Sequence, residues 1–284
     1  MSTEPVAPSA ARASTGPSPE GTIVRVRGLH KKYGDFTAVD HIDLDVPRGE
    51  VFGVLGPNGA GKTTTLRMIT GLIAPDKGEI VIDGHDLVGD PVGARQVTGF
   101  IPDRPYVYDK LTAIEYLRFI GGLYSMKASR VADRIDELLT LFGLREWSDG
   151  LIESFSHGMK QRLVFCGALL PEPSVLVVDE PMVGLDPRGH RLIKSLFREL
   201  VADKKMSILL STHTLEVAEE VCDRVVIINH GRIVARGSLG ELRLESGHTD
   251  GNLEQVFLRI TEESEAERDA AVAERFGNET GEPS

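Results

Sequence analysis

The sequence predicts an α/β fold built on a parallel β-sheet, with a helical block interrupting the β/α alternation. Two runs, Ser174–Val178 and Met206–Ser211, are apolar with little alternation, the pattern of strands buried on both faces of a parallel sheet. A third strand, Glu50–Leu55, ends in a glycine-rich turn and is followed by a helix at Thr63–Gly71. Between these halves, Thr112–Tyr124 and Ser129–Phe142 carry apolar residues at helical spacing.

Taken in order, residues 1–21 are rich in Pro, Ser and Ala and lack an apolar signal core, so they read as a disordered tail and not a secretory leader. Order is expected from Thr22. Ile23–Val26 alternates like an edge strand, and Ile42, Leu44 and Val46 repeat the pattern. After the helix Thr63–Gly71, Glu79–Ile82 is a short strand ended by the turn pair Asp83-Gly84. A helical insertion is expected over about 104–170. Thr112 with Glu115 forms a capping box at its first helix, and Ser129 is a candidate cap for its second.

Beyond the strand at Ser174–Val178, Asp186-Pro187 caps and starts a helix reaching about Ala202. Thr214–Asp223 is a further helix. Arg224–Asn229 and Gly231–Ala235 read as a hairpin around Asn229-His230-Gly231. A short helix at about Leu253–Ile260 and an acidic tail complete residues 243–284, leaving 22–242 as the main domain. No internal repeat is present, so the chain carries one such domain and not a tandem pair.

The 284 residues carry a formal net charge of -11, which disfavours nucleic acid as a partner because phosphate backbones are repelled. No apolar stretch approaches the roughly 20 residues that cross a bilayer as a helix. Cys166 and Cys222 each sit in an apolar segment and read as reduced core thiols of a cytoplasmic protein.

Gly56-Pro57-Asn58-Gly59-Ala60-Gly61-Lys62-Thr63 matches the phosphate-loop pattern G-x-x-x-x-G-K-[ST], and it stands between a strand and a helix as that pattern requires. Glycines let the backbone curl around an anion, and successive N–H groups then point at the phosphates. The helix N-terminus adds partial positive charge. Lys62 is expected at the β- and γ-phosphates, the Thr63 hydroxyl on Mg²⁺, and Thr64 near the α-phosphate.

Val175-Leu176-Val177-Val178-Asp179-Glu180 is an apolar strand ending in two carboxylates. A phosphate-loop enzyme needs a second strand to bring an acid to the metal, and Asp179 is the candidate. Glu180, one residue further, is the candidate base for the attacking water. His213 follows the strand Ile208–Ser211, and strand C-termini are where an open α/β sheet places its ligand. His213 is therefore a candidate to hold the γ-phosphate and the water.

Ser156-His157-Gly158-Met159-Lys160-Gln161-Arg162 resembles the signature of ABC-type ATPases, usually Leu-Ser-Gly-Gly-Gln, and precedes the Asp179-Glu180 strand as it does in that family. The resemblance spans about Ile23 to Leu242. It implies a P-loop NTPase (RecA-like) core with an antiparallel β subdomain and a helical insertion subdomain. It also implies the ATP-binding subunit of a bacterial exporter of the drug, lipid or polysaccharide efflux kind. Tyr33 matches the aromatic that stacks on adenine, and Asp186 the loop that crosses the dimer interface. Ser156 and Gly158 match the residues that contact the ATP of a second, head-to-tail subunit.

Where relatives carry Gly and Gln in the signature, this chain has His157 and Met159. Asp103 stands where many relatives place a metal-touching Gln; an ordinary loop or helix-cap acid is the alternative there. Arg104, Pro105, Tyr106 and Tyr108 suit either an interface with a membrane subunit or a plain surface loop. The implied cofactors are ATP and Mg²⁺. The implied partners are a transmembrane permease on another chain and a second ATP-binding subunit, at the inner face of the membrane. A soluble ABC ATPase acting on ribosomes or DNA, and a non-catalytic ATP-holding module, are the competing readings.

Overall fold

The structure is a computed structural model that describes residues 21–182, 187–202, 206–245, 255 and 257–259. The tail expected over 1–21, apart from Gly21, lies outside the described residues, as do Asp186 and most of the expected C-terminal helix and acidic tail. Strands are numbered β1 (Thr22–Tyr33), β2 (Phe36–Pro47), β3 (Val51–Leu55), β4 (Lys77–Ile82), β5 (His85–Asp86), β6 (Thr98–Ile101), β7 (Val175–Asp179), β8 (Ser207–Thr212), β9 (Arg224–Asn229) and β10 (Arg232–Ser238). Helices are α1 (Lys62–Ile69), α2 (Pro91–Gln96), α3 (Ala113–Leu123), α4 (Ala128–Leu141), α5 (His157–Leu169), α6 (Pro187–Ala202), α7 (Leu215–Val221) and α8 (Leu239–Glu245).

The described strands form two sheets. One is antiparallel, in the order β2-β1-β4-β5. The other has the order β10-β9-β3-β8-β7-β6, parallel throughout except for β10. β1 pairs with β2 on one side and β4 on the other, so the edge-strand reading of Ile23–Val26 is corrected. Its alternation reflects the different surroundings of the two sheet faces, not a free edge.

Side chains of the parallel strands alternate between two cores. Phe52, Val54, Val175, Val177, Leu209, Val226 and Ile228 pack towards α1 and the antiparallel sheet. Val51, Leu55, Leu176, Val178, Ile208, Leu210, Val225 and Ile227 pack towards the helices that follow β6. Strands buried on both faces carry no polar period, which is why β7 and β8 read as plain apolar runs.

The capping box at α3 is present in full. The Glu115 amide donates to Thr112 Oγ1 at 3.2 Å, and the Thr112 amide to Glu115 Oε2 at 2.8 Å. Ser129 is not a cap. It lies within α4, whose N-cap is Lys127 with no side-chain hydrogen bond. The β9–β10 hairpin pairs Asn229 with Arg232 and turns through His230 and Gly231, both at positive φ, as a two-residue primed turn requires. β6, α2 and α8 were not expected from the sequence. Cys166 and Cys222 are both free and buried, and burial pushes both thiols well above the ordinary range.

Candidate functional site

The phosphate-loop residues connect β3 to α1. Their conformation demands glycine at two points where backbone closes in. A Cβ on Gly56 would stand 2.2 Å from the Ile228 carbonyl oxygen, and one on Gly61, at φ +106°, 2.4 Å from the Ala38 carbonyl oxygen. Pro57, Asn58 and Gly59 are exposed, and Ala60 is buried. Lys62 folds back over the loop, donating from Nζ to the carbonyls of Gly56 at 2.8 Å and Pro57 at 3.1 Å. Burial pulls its ammonium below the ordinary lysine range, opposed by the carboxylates of Glu180 and Asp179.

The parallel register brings the acids to this loop. Asp179, at the end of β7, pairs with Ser211 of β8, and β8 lies between β7 and β3. Thr63 Oγ1 donates to Asp179 Oδ1 at 3.2 Å, and the Ser211 hydroxyl donates to the same oxygen. Asp179 is 1% exposed, yet its Oδ2 has no hydrogen-bond partner among the described residues. Glu180 leaves the strand at φ +52°, a left-handed conformation uncommon for a non-glycine residue. Its amide donates to the Ser211 carbonyl at 3.1 Å and reaches Ser211 Oγ at 3.3 Å. Its Oε1 lies 2.9 Å from His213 Nδ1. Lys62, Thr63, Asp179, Glu180 and His213 therefore converge beyond the carboxyl ends of β3, β7 and β8. Thr64 sits partly buried one residue further along α1.

Ser211 was not among the expected site residues. Its one sequence signal is a polar residue ending an apolar strand two positions before His213.

The remaining candidates stand apart. Tyr33 ends β1 and is half exposed, with the Lys31 ammonium 5.6 Å from its ring centroid. Ser156 is the N-cap of α5 and accepts from the Met159 amide at 3.3 Å; Gly158 is in the first turn. Among the described residues no hydrogen bond or ion pair links Ser156 or Gly158 to the phosphate loop. Asp103 follows β6, well before α3 begins, so the helix-cap reading of it is corrected. Its Oδ1 is buried without a partner among the described residues, and Asp103 lines an open cavity with Tyr106, His157, Lys160 and Glu180. Asp186 lies outside the described residues.

Residues 39–183, from β2 through the Asp179-Glu180 strand end, match the ABC transporter family. The chain belongs to that family. It is 40% identical over 238 residues to the daunorubicin resistance ATP-binding protein DrrA3 of Streptomyces coeruleorubidus, covering 84% of this chain and 74% of the relative. It is 40% identical over 220 residues to the Nod factor export ATP-binding protein I of Ralstonia nicotianae, covering 78% and 68% respectively. A solved ATP-binding subunit of an ABC transporter superposes with a TM-score of 0.80 at 35% identity, over 84% of this chain and all of that one. The two sheets and the helical block are thus those of an ABC ATPase, and the chain is an ATP hydrolase.

Proposed function

We propose that this ABC ATPase powers export through a separate transmembrane permease, working as a head-to-tail pair of ATP-binding subunits at the inner face of the membrane. The observation that carries the catalytic part is the convergence of Lys62, Asp179, Glu180 and His213 around the loop that ends β3. The names of the relatives, one a drug-resistance protein and one a Nod factor export protein, support export.

The Thr63 hydroxyl and Asp179 offer hard oxygen donors, and the buried Asp179 Oδ2 is an acceptor with no protein donor among the described residues. Such a donor set fits Mg²⁺, which when bound neutralises charge on the phosphates. The loop amides and Lys62 bind the phosphates, Lys62 exchanging its two carbonyl partners for phosphate oxygens. Glu180 takes the proton of the attacking water, and His213 orients the Glu180 carboxylate. Tyr33 offers a ring face to adenine. Asp103, which lines the same cavity as Glu180, serves the metal side of the site.

Ser156 caps a helix that, among the described residues, makes no hydrogen bond to the chain's own phosphate loop through Ser156 or Gly158. A helix N-terminus favours an anion. We assign it, with Gly158 and Asp186, to the ATP held by the second subunit. Hydrolysis removes the phosphate that joins the subunits, which is a switch driven by a local change of charge.

The test is purification of tagged Glu180→Gln protein with ATP from detergent-solubilised membranes. A stoichiometric multi-span membrane protein is expected. Ribosomal or DNA-bound material without a membrane protein would overturn the reading in favour of a soluble ABC ATPase.

A further inference from the structure

A second constellation lies outside the catalytic site, on the antiparallel sheet. β1 and β2 are out of step here: Leu29 pairs with Ile42 and Lys31 with Val39, so Asp40 and His41 together oppose His30. A bulge of this kind re-aims side chains that regular alternation would send to opposite faces. His41 occupies φ +55°, the left-handed region. The rings of His30 and His41 stand 4.9 Å apart.

Asp40 is held between them. Its Oδ1 lies 2.7 Å from His41 Nδ1 and 3.5 Å from His30 Nδ1. Its Oδ2 is taken by Arg232, at 2.7 Å from Nε and 2.6 Å from Nη2. Arg232 thus fixes the carboxylate and leaves one oxygen facing the imidazoles. His30 Nδ1 is buried and has no hydrogen-bond partner among the described residues.

We propose that His30, Asp40 and His41 bind a divalent transition-metal ion of the zinc class. The three ligand atoms, two imidazole nitrogens and one carboxylate oxygen, lie within 4.8 Å of one another. Around a tetrahedral ion with bonds near 2.05 Å, ligand atoms stand about 3.3 Å apart. The two separations from Asp40 Oδ1, 2.7 and 3.5 Å, bracket that value, and the third lies within 4.8 Å, so side-chain rotation of the two histidines closes the site. Imidazole with carboxylate suits zinc, copper or nickel and does not suit the all-oxygen preference of Mg²⁺. Arg232 acts as the outer partner that orients the carboxylate, as carboxylate ligands generally require. The exposed His41 leaves room for a water as fourth ligand.

The site is coupled to the phosphate loop through backbone. The Asp40 amide donates to the Gly231 carbonyl, and the Gly231 amide to the Ala60 carbonyl, each at 2.8 Å. An ion here would stiffen the corner that carries the loop.

The experiment uses tag-free, chelator-stripped full-length protein without nucleotide, titrated calorimetrically with Zn²⁺ alone. A saturable site is expected, and His41→Asn should weaken it about tenfold or more. Asparagine tolerates the left-handed backbone, so that variant keeps the fold. His30→Gln should weaken the site comparably, and Co²⁺ should give visible ligand-field bands that His41→Asn loses. A Zn²⁺ isotherm unchanged in both variants, or no saturable binding to the wild-type chain, would overturn the proposal.

Discussion

His213 Nδ1 lies 2.9 Å from Glu180 Oε1, across the gap between the ends of β8 and β7. Glu180 is the less exposed partner, its side chain at 16% against 49% for His213. The histidine therefore holds the carboxylate from the solvent side. Glu180→Gln should keep ATP binding and lower steady-state hydrolysis by about 10²–10⁴-fold, the span of a lost general base. His213→Ala should lower kcat by at least about tenfold with little change in nucleotide affinity, because it releases the base without removing a loop donor. ATPase kinetics beside nucleotide titration separates the two terms, and a near wild-type rate in Glu180→Gln would remove it as the base.

Lys62 donates to two loop carbonyls and has given up solvent to do so. Its ammonium is the buried cation nearest the expected phosphates. Charge-assisted hydrogen bonds contribute about 1.5–3 kcal/mol each, so losing two of them in Lys62→Ala should weaken ATP binding by roughly 10²- to 10⁴-fold. Calorimetry with a non-hydrolysable ATP analogue checks this. Normal affinity would sink the assignment of the loop.

Ser211 supports both acids at once, donating its hydroxyl to Asp179 and receiving the Glu180 amide. Ser211→Ala leaves Asp179 Oδ1 with Thr63 as its one hydrogen-bond donor among the described residues. Outer partners of metal ligands typically matter by about 10–100-fold in metal affinity or activity, and a loss at the lower end is expected here. The Mg²⁺ concentration giving half-maximal ATPase should rise about tenfold in this variant. An unchanged Mg²⁺ dependence would reduce Ser211 to a packing residue.

The parts of this molecule that were legible in the sequence are those governed by short separations. The Thr112–Glu115 capping box joins residues three apart, and the phosphate loop is a contiguous run between a strand and a helix. β7 and β8 were legible because burial on both faces leaves an unbroken apolar run. Ser211 was hidden because its role arises from the register of β7 on β8, which joins residues 32 apart. The central position of β1 was likewise invisible, since alternation reports which face is buried and not how many neighbours a strand has. His30, Asp40 and His41 converge through a bulge, and a one-residue offset between paired strands leaves no local mark on composition. Ser129 misled because serine is a favourable cap only where the helix begins, and α4 begins one residue earlier.

Gly61 separates the demands of folding from those of phosphate binding. It is the N-cap of α1, at φ +106°, and its missing side chain admits the Ala38 carbonyl. A Cβ there would stand 2.4 Å from that oxygen, which belongs to β2 and not to a mobile side chain. Relief would require β2 to move from the loop, disturbing the Asp40–Gly231–Ala60 backbone bonds beside it. Gly61→Ala should therefore cost about 1–3 kcal/mol from backbone conformation alone, and lower Tm by about 5 °C or more once the clash is added. Gly59→Ala differs: its backbone is also at positive φ, +80°, but nothing lies within 4 Å of the added Cβ. Its loss of stability should be the smaller of the two, and any loss of ATP affinity would report on contact with the ligand. Thermal unfolding of both variants, without nucleotide, decides the matter. Equal Tm values would mean that the approach of Ala38 to Gly61 carries no stability.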